Sequence, residues 1–237
     1  MSPRVLPVLA AFLLAVSFLF TGCATAPATY RTRADTVSRL PGPTRIAIAP
    51  PDVEVYEISA GGVTELRDEW TRTVEQHLRN ELGHSTGFKP APALEPELQK
   101  EFGEVSSLLR AISLNQAMSI FGPRELQPAQ RPLDYQVGSI ARLADACNAD
   151  ALLFIFVRDS YATAGRKALA VLGALTGAVT GIVIVPQLGT TAGSAALVQR
   201  DGTVLWFNVH GAASGDLREP AGAAGTVHAL LAGLPKA

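Results

Sequence analysis

The sequence predicts one α/β (α+β) domain, in which helices pack on a mixed β-sheet. The uninterrupted apolar run that follows Asp150 and extends to Val157 is typical of a central strand buried on both faces. Apolar residues that recur about every four positions from Val63 to Leu82 predict an amphipathic helix. Asp201-Gly202 between two apolar runs predicts a hairpin. The 237 residues, 48% hydrophobic and 17% charged, suit one globular domain.

The amino terminus predicts export. Arg4 precedes an apolar run from Val5 to Phe20, which is too short to span a membrane comfortably and has the length of a secretory signal. The run leads into Leu19-Phe20-Thr21-Gly22-Cys23, which resembles the lipobox of bacterial lipoproteins, although Phe20 replaces the usual leucine. The alternative is an ordinary signal peptide with an incidental cysteine.

This resemblance implies a lipoprotein signal peptide over residues 1–22 and a diacylated Cys23 as the first residue of the mature chain. Ala24 stands where an aspartate would signal retention in the inner membrane, which implies the outer membrane and its periplasmic face. Residues 23–44 have no apolar periodicity and are predicted to be a flexible tether before a periplasmic domain over 45–237. Cys147 then has no disulfide partner and is interpreted as a buried structural thiol.

The predicted elements follow in order along the domain. A short strand at 45–49 stops at Pro50-Pro51, which indicate an edge or a bend before a second extended piece at 53–58. The helix from Val63 ends at Gly83, and a second helix runs from Glu95 to Phe121 with one face docked on a sheet or a partner.

A loop at 123–132 precedes a predicted helix from Tyr135 to Asn148 and then the central strand. The hairpin is expected to have a type I′ turn, with Val198 facing Leu205 and Leu197 facing Trp206. A final helix is predicted from Ala221 to Leu231.

Residues 168–199 contain no charged side chain. The favoured interpretation is a helix followed by a strand at Val179–Val185, both packed into the fold, because β-branched residues replace helix formers there. The first alternative is an apolar surface that is buried in an oligomer or against lipid. The second is a transmembrane helix, which Pro186 and the glycines disfavour.

The composition and motifs favour a protein without catalysis. The 20 basic and 21 acidic residues give a net charge of −1 and no basic patch for nucleic acid. No nucleophile elbow, phosphate loop or zinc motif occurs in the sequence, so we expect no cofactor and no metal. His77 and His84 are interpreted as solvated surface residues.

Polar residues follow the central strand directly and form the candidate protein interface. As a functional set they would be a polar rim beside the charge-free segment, with Arg158 and Tyr161 as interface anchors. The structural alternative is an ion pair between Arg158 and Asp159 at the strand end and a helix start at Arg166-Lys167. The candidate residues are Arg158, Asp159, Tyr161, Arg166 and Lys167.

The order of elements resembles that of a family of proteobacterial outer-membrane lipoproteins. The elements are the lipobox, a proline-rich tether, a strand ending in Pro50-Pro51, a helix after Gly61-Gly62, the apolar strand, a helix at Arg166-Lys167 and the Asp-Gly hairpin. Their domain is similar to peptidoglycan-synthase activator lipoproteins, curli-secretion lipoproteins and the amino-terminal domain of the Tol-system propeller protein. The resemblance covers about residues 19 to 235 and departs at the glycine-rich insert 172–188, which lacks the alternation of a channel hairpin.

The resemblance implies a non-catalytic adaptor or assembly factor for a cell-envelope complex, held to the membrane by lipid on Cys23. Its envelope protein partner is not identified by the sequence, and a homo-oligomer is possible on the same reading. The alternative is an oligomeric secretion or pore component that uses the apolar segment 168–188.

Overall fold

The computed structural model describes residues 29–33, 44–123, 133–181, 186–211 and 215–235. Within these residues, eight strands form one mixed sheet that carries five helices, so the predicted fold class is confirmed. The strands are β1 Tyr30–Thr32, β2 Ile46–Ile48, β3 Asp52–Ile58, β4 Thr64–Leu66, β5 Lys89–Pro90, β6 Ala151–Ala162, β7 Thr191–Gln199 and β8 Val204–His210. The helices are α1 Asp68–Thr86, α2 Pro96–Phe121, α3 Ala141–Ala146, α4 Ala164–Thr180 and α5 Pro220–Leu230.

Strand β6 is the centre of the sheet, as its apolar sequence predicts. The strand order is β1-β8-β7-β6-β2-β5, and β7 runs antiparallel to β6 along most of its length. On its other side β6 pairs in parallel first with β2 and then with β3, which also pairs with β4. Pro50 and Pro51 lie between β2 and β3, so they mark the bend that the sequence predicts.

Helices cover both faces of the sheet, and the alternation of side chains along the strands gives each face its own apolar layer. Helices α1 and α5 cover one face, where Val74 and Leu78 of α1 meet Val157 of β6 and Val227 of α5. Helices α2 and α3 cover the other face, where Phe102 of α2 stacks on Phe154 with ring centroids 5.8 Å apart.

Two predicted helices have the wrong boundaries. Helix α1 begins at Asp68 rather than Val63, because Thr64–Leu66 pairs with β3 as a short strand. It also continues through Gly83 to Thr86, and Gly87 ends it with a φ of 70° that favours glycine. The helix predicted from Tyr135 is confined to Ala141–Ala146, because Gln136 forms a bridge with Thr203 and Val137 donates to the Gly202 carbonyl.

The hairpin between β7 and β8 is confirmed, but its turn differs from the predicted one. Leu197 faces Trp206 as expected, whereas a bulge places Val198 opposite Val204 rather than Leu205. The Gly202 amide donates to the Gln199 carbonyl, and Gly202 has a φ of 90°. Among the described non-glycine residues only Asn148 has a positive φ, so Asp201 does not adopt the type I′ conformation.

The predicted tether is wrong for one short segment. Tyr30–Thr32 pairs antiparallel with β8 as strand β1 and forms an edge of the sheet. Three residues at a sheet edge need no apolar alternation, which explains why the sequence pattern does not reveal them. Residues 1–28 and 34–43, and the loop predicted at 123–132 beyond Pro123, lie outside the described residues.

The helical part of the charge-free segment does not pack into the fold as predicted. Helix α4 buries Ala170 but leaves Leu169, Val171, Leu172 and Leu175 exposed. In the predicted strand Val179–Val185, Val179 and Thr180 belong to this helix instead, and 182–185 lies outside the described residues. No helix of the described chain is long and apolar enough to cross a membrane.

Candidate functional site

An open cleft lies between the second half of α2 and the sheet. The first half of α2 is seated on the sheet by buried Val105 and Leu109, and the Ser113 hydroxyl hydrogen-bonds to Ser194 of β7. Beyond that contact, Leu114 and Phe121 are exposed. The cleft has a volume of about 300 Å³ and is lined mainly by apolar groups. The wall residues are Leu114, Ala117 and Phe121 of α2, Phe156 of β6, Ala192 and Gly193 of β7, and Val209 of β8.

Arg110 forms the charged floor of this cleft. Its guanidinium lies 4.4 Å from the centre of the Phe156 ring and pairs with two carboxylates of β3. Nε donates to Asp52 Oδ2 at 2.9 Å, and Nη1 donates to Glu54 Oε1 at 2.6 Å. Burial lowers the pKa of Arg110, but the two carboxylates outweigh burial and keep this pKa above its ordinary value. Arg110 therefore fixes α2 to β3 rather than binding a further anion.

Arg158 lines the same cleft and has a different environment. It is exposed, and its guanidinium stacks 4.5 Å from the ring centre of Tyr56 on β3. No carboxylate of the described chain lies within salt-bridge distance of Arg158. The stacking orients the guanidinium without neutralising its charge, so Arg158 is a cation that the described lining of the cleft offers to an incoming anionic group.

Asp159 and Tyr161 lie on the opposite face of the sheet, under α1 and α5. Asp159 is only 1% exposed, and its Oδ1 accepts hydrogen bonds from the Thr191 hydroxyl and the Ser160 amide, each at 2.9 Å. Its Oδ2 has no hydrogen-bond donor in the described structure. Burial raises the pKa of Asp159 above its usual value, against the effect of the nearby hydroxyl groups.

Tyr161 links this buried carboxylate to the segment before α5. Its hydroxyl accepts a hydrogen bond of 2.7 Å from the Leu217 amide, and its ring packs edge-on against Trp70 at 6.0 Å. The Arg218 guanidinium lies 4.1 Å from the centre of the same ring and holds the pKa of Asp216 at about 2. Burial and the Asp159 charge raise the pKa of Tyr161, so its hydroxyl stays protonated.

Arg166 and Lys167 lie in the first turn of α4. Arg166 is half-buried, and its Nε donates to the Gln187 carbonyl at 2.6 Å, so it joins the two ends of the segment that contains α4. Its Nη1 also reaches the Ser59 carbonyl at 3.4 Å, in the turn between β3 and β4. Lys167 is exposed. The predicted helix start at these two residues agrees with α4, which begins at Ala164.

The structure separates the residues that the sequence grouped as one polar rim. Arg158 lines the cleft, whereas Asp159 and Tyr161 are packed under α1 and α5. The guanidinium of Arg166 donates its hydrogen bonds to backbone carbonyls. The alternative ion pair between Arg158 and Asp159 is also wrong, because neighbouring residues of a strand point to opposite faces. Cys23 lies outside the described residues.

Sequence reasoning missed Asp52, Glu54 and Arg110. The two acidic residues share a strand face because they are two positions apart, a signal that alternation could have provided. Arg110 comes from a helix distant in sequence, and only the tertiary fold brings it to Asp52 and Glu54.

His77, predicted to be solvated, instead has its Nδ1 3.3 Å from the Leu217 carbonyl.

Cys147 and the acidic groups offer little chemistry of their own. Cys147 is half-buried, and burial raises the pKa of its thiol, so its thiolate is disfavoured. Among the described residues, no group of three or more histidine, cysteine or acidic side chains is arranged to hold a metal ion.

No protein-family model and no characterised protein matches the sequence significantly.

Proposed function

We propose that the protein is an outer-membrane lipoprotein that faces the periplasm and acts as a non-catalytic adaptor or assembly factor for a cell-envelope complex. The observation that carries the proposal is the cleft beside α2, because it joins apolar walls to the charged Arg158, which has no salt bridge to a described residue. Such a combination suits the recognition of a protein segment more than the activation of a substrate.

The occupant that fits this cleft is an apolar segment of an envelope protein with one acidic side chain. Exposed Leu114 and Phe121 offer area for apolar side chains, and Arg158 offers a pre-oriented partner for a carboxylate. Arg110 is already paired with Asp52 and Glu54, so one acidic group rather than two matches the charge that the described lining leaves available.

The amino-terminal sequence supports the location. Its resemblance to a lipobox makes Cys23 the site of the lipid anchor, and Ala24 favours the outer membrane. Two or three acyl chains would hold the domain firmly at the membrane surface, where its partner would be encountered at high local concentration.

Site-specific photocrosslinking in intact cells tests the adaptor role. A photoreactive amino acid at position 114 is expected to trap one discrete envelope protein, because Leu114 lines the cleft. The matched control carries the same amino acid at exposed position 100, near the other end of α2. Adding Arg158→Glu should reduce the adduct at position 114 at least about tenfold, since each factor of ten is about 1.4 kcal/mol and a charged hydrogen bond contributes that much.

Two outcomes would contradict the proposal. One is an adduct of equal intensity from positions 100 and 114, which would show that the trapped protein is a neighbour and not an occupant of the cleft. The other is an adduct at position 114 that Arg158→Glu does not change, with the variant present at the same level and equally stable.

The exposed apolar face of α4 favours a second candidate, an oligomeric secretion component that uses segment 168–188. Light scattering after size exclusion, on the whole mature chain in detergent, distinguishes the candidates. A ring-sized assembly that Leu172→Gln dissociates would support the second candidate, and a monomer would remove it.

A further inference from the structure

The amino-terminal strand and helix α4 meet at one end of the sheet. Tyr30 of β1 pairs with Asn208, near the carboxyl end of β8. His210 of β8 pairs with Gly193 near the start of β7, and Thr191 of β7 pairs with Asp159 near the carboxyl end of β6. Helix α4 begins at Ala164, directly after β6. We call this end of the sheet, defined by Tyr30, Thr191 and Ala162, the anchor end.

The chain between Cys23 and the anchor end is short. Six residues separate Cys23 from Tyr30, and the seven residue-to-residue steps of a fully extended chain span at most about 25 Å. Strands β1 and β6 are three strand spacings apart in the sheet order, which is about 14 Å. A lipid anchor at Cys23 would therefore keep the start of α4 within a few tens of ångströms of the membrane surface.

Helix α4 presents a continuous apolar face to the outside of the domain. Ala168, Val171, Leu172 and Leu175 recur with helical spacing, and the last three are 59%, 58% and 61% exposed. Ala170 is buried against the domain, and Arg166 fixes the first turn through the Ser59 and Gln187 carbonyls. An exposed apolar face of this kind on a helix fixed to the domain marks an interaction site.

The charges around this face fit a lipid surface. Lys167 is exposed in the first turn of α4, beside the apolar face, and no acidic residue occurs from Ala168 to Gln199. An interfacial helix combines these features, with apolar side chains below the headgroups and a basic side chain among the phosphates. A helix that contacts lipid in this way lies along the surface of the leaflet.

We propose that α4 is a second membrane contact, in which Val171, Leu172 and Leu175 enter the lipid leaflet that holds the Cys23 anchor. The inference rests on the proposed function through that anchor. The two contacts together would fix the orientation of the domain, with the anchor end toward the bilayer and the β7–β8 hairpin away from it.

Fluorescence quenching by lipid measures this orientation. The lipidated full-length mature protein is reconstituted into vesicles of phosphatidylethanolamine and phosphatidylglycerol, with an environment-sensitive fluorescent amino acid at position 172. The matched control has the same amino acid at position 201, which is exposed in the hairpin at the opposite end of the sheet. Lipids with a quencher on the acyl chain should reduce the emission of the probe at 172 at least about twofold more than at 201.

Vesicle flotation separates failure of this inference from failure of the anchor. Protein that floats with the vesicles but shows equal quenching at 172 and 201 would overturn the membrane contact of α4 and leave the lipid anchor intact. Protein that does not float would contradict the anchor itself. A blue-shifted, unquenched probe at 172 that changes with protein concentration would assign the face to a second copy of the chain and would also overturn the inference.

Discussion

At the end of β6, the two faces of the sheet carry polar residues that differ in exposure to solvent. On the α2 face Arg158 is exposed at an open cleft, and its charge has no carboxylate partner in the described structure. On the α1 and α5 face Asp159 is buried, and Tyr161 is enclosed by Trp70 and Arg218. These three residues are almost adjacent in the sequence, so alternation along one strand places one at the open cleft and two in the layer under α1 and α5.

The comparison also shows where charge is costly. Arg110 on the cleft side is balanced by Asp52 and Glu54, so this charged group is satisfied although it is partly buried. Asp159 on the other side has hydroxyl and amide donors at Oδ1 but none in the described structure at Oδ2. The buried face therefore holds an imperfectly satisfied carboxylate, and its ionisation should affect the stability of the fold.

The largest expected effect is the loss of stability when Tyr161 is removed. Tyr161→Ala should lower the free energy of unfolding by about 2–3 kcal/mol, since it removes a packed aromatic ring and the acceptor of the Leu217 amide. Arg158→Ala on the other face should lower it by less than about 1 kcal/mol, the size of an exposed cation–π contact. Urea denaturation of both variants measures the difference.

A conservative substitution sharpens this test. Tyr161→Phe keeps the ring and removes the hydroxyl, so it should cost only about 1 kcal/mol. Equal stabilities for Tyr161→Ala and Arg158→Ala would contradict the division of the two faces. In that case Tyr161 would be a surface residue that could anchor a partner, as the sequence pattern first suggested.

The next effect in size concerns the buried carboxylate. Because the pKa of Asp159 is raised in the folded state, folding favours its protonated form. Its contribution to stability therefore falls as the pH rises from the ordinary aspartate pKa of about 4 through the folded pKa. Asp159→Asn should remove this fall and stabilise the protein by about 1 kcal/mol at neutral pH, since the amide oxygen can still accept from Thr191 and Ser160.

Denaturation curves at several pH values between about 4 and 7 compare the wild-type chain with Asp159→Asn. The informative quantity is the difference between the two free energies of unfolding, because titration of the other groups cancels in it. A difference that is constant with pH would mean that Asp159 is ionised in the folded protein with an ordinary pKa.

The fold was predictable where one local pattern decides the structure. The apolar run at Ala151–Val157 has to be covered on both faces, and the central position of β6 follows from that alone. Short elements depend on partners instead: Thr64–Leu66 is a strand because β3 lies beside it, and Tyr30–Thr32 because β8 does. No periodicity can emerge from three residues, so these pairings were not available to sequence reasoning.

The candidate site was less predictable than the fold. Sequence proximity grouped Arg158 with Asp159 and Tyr161, although strand alternation places Arg158 on the opposite face. Arg158 stacks on Tyr56 of β3 and lines the cleft opposite apolar side chains of α2, and both elements are distant from it in sequence. The same limitation applies to α4, since an apolar helix that is exposed and one that is buried have similar sequences.

The smallest effect is expected at Asp216, whose carboxylate faces the same buried cluster. Arg218 holds the pKa of Asp216 at about 2, so this group contributes stability above its ordinary pKa and loses it as the pH falls from about 5 toward 2. The pair is partly exposed, which limits its contribution to less than about 1 kcal/mol.

Asp216→Asn would also remove a negative charge that raises the pKa of Asp159. This relief of the repulsion between the two carboxylates opposes the loss of the ion pair with Arg218. The two effects should nearly cancel at neutral pH, whereas in the Asp159→Asn background the relief is absent and Asp216→Asn should destabilise the protein more. A double-mutant cycle by urea denaturation measures this coupling, and additive effects would show that the two carboxylates do not interact across Tyr161.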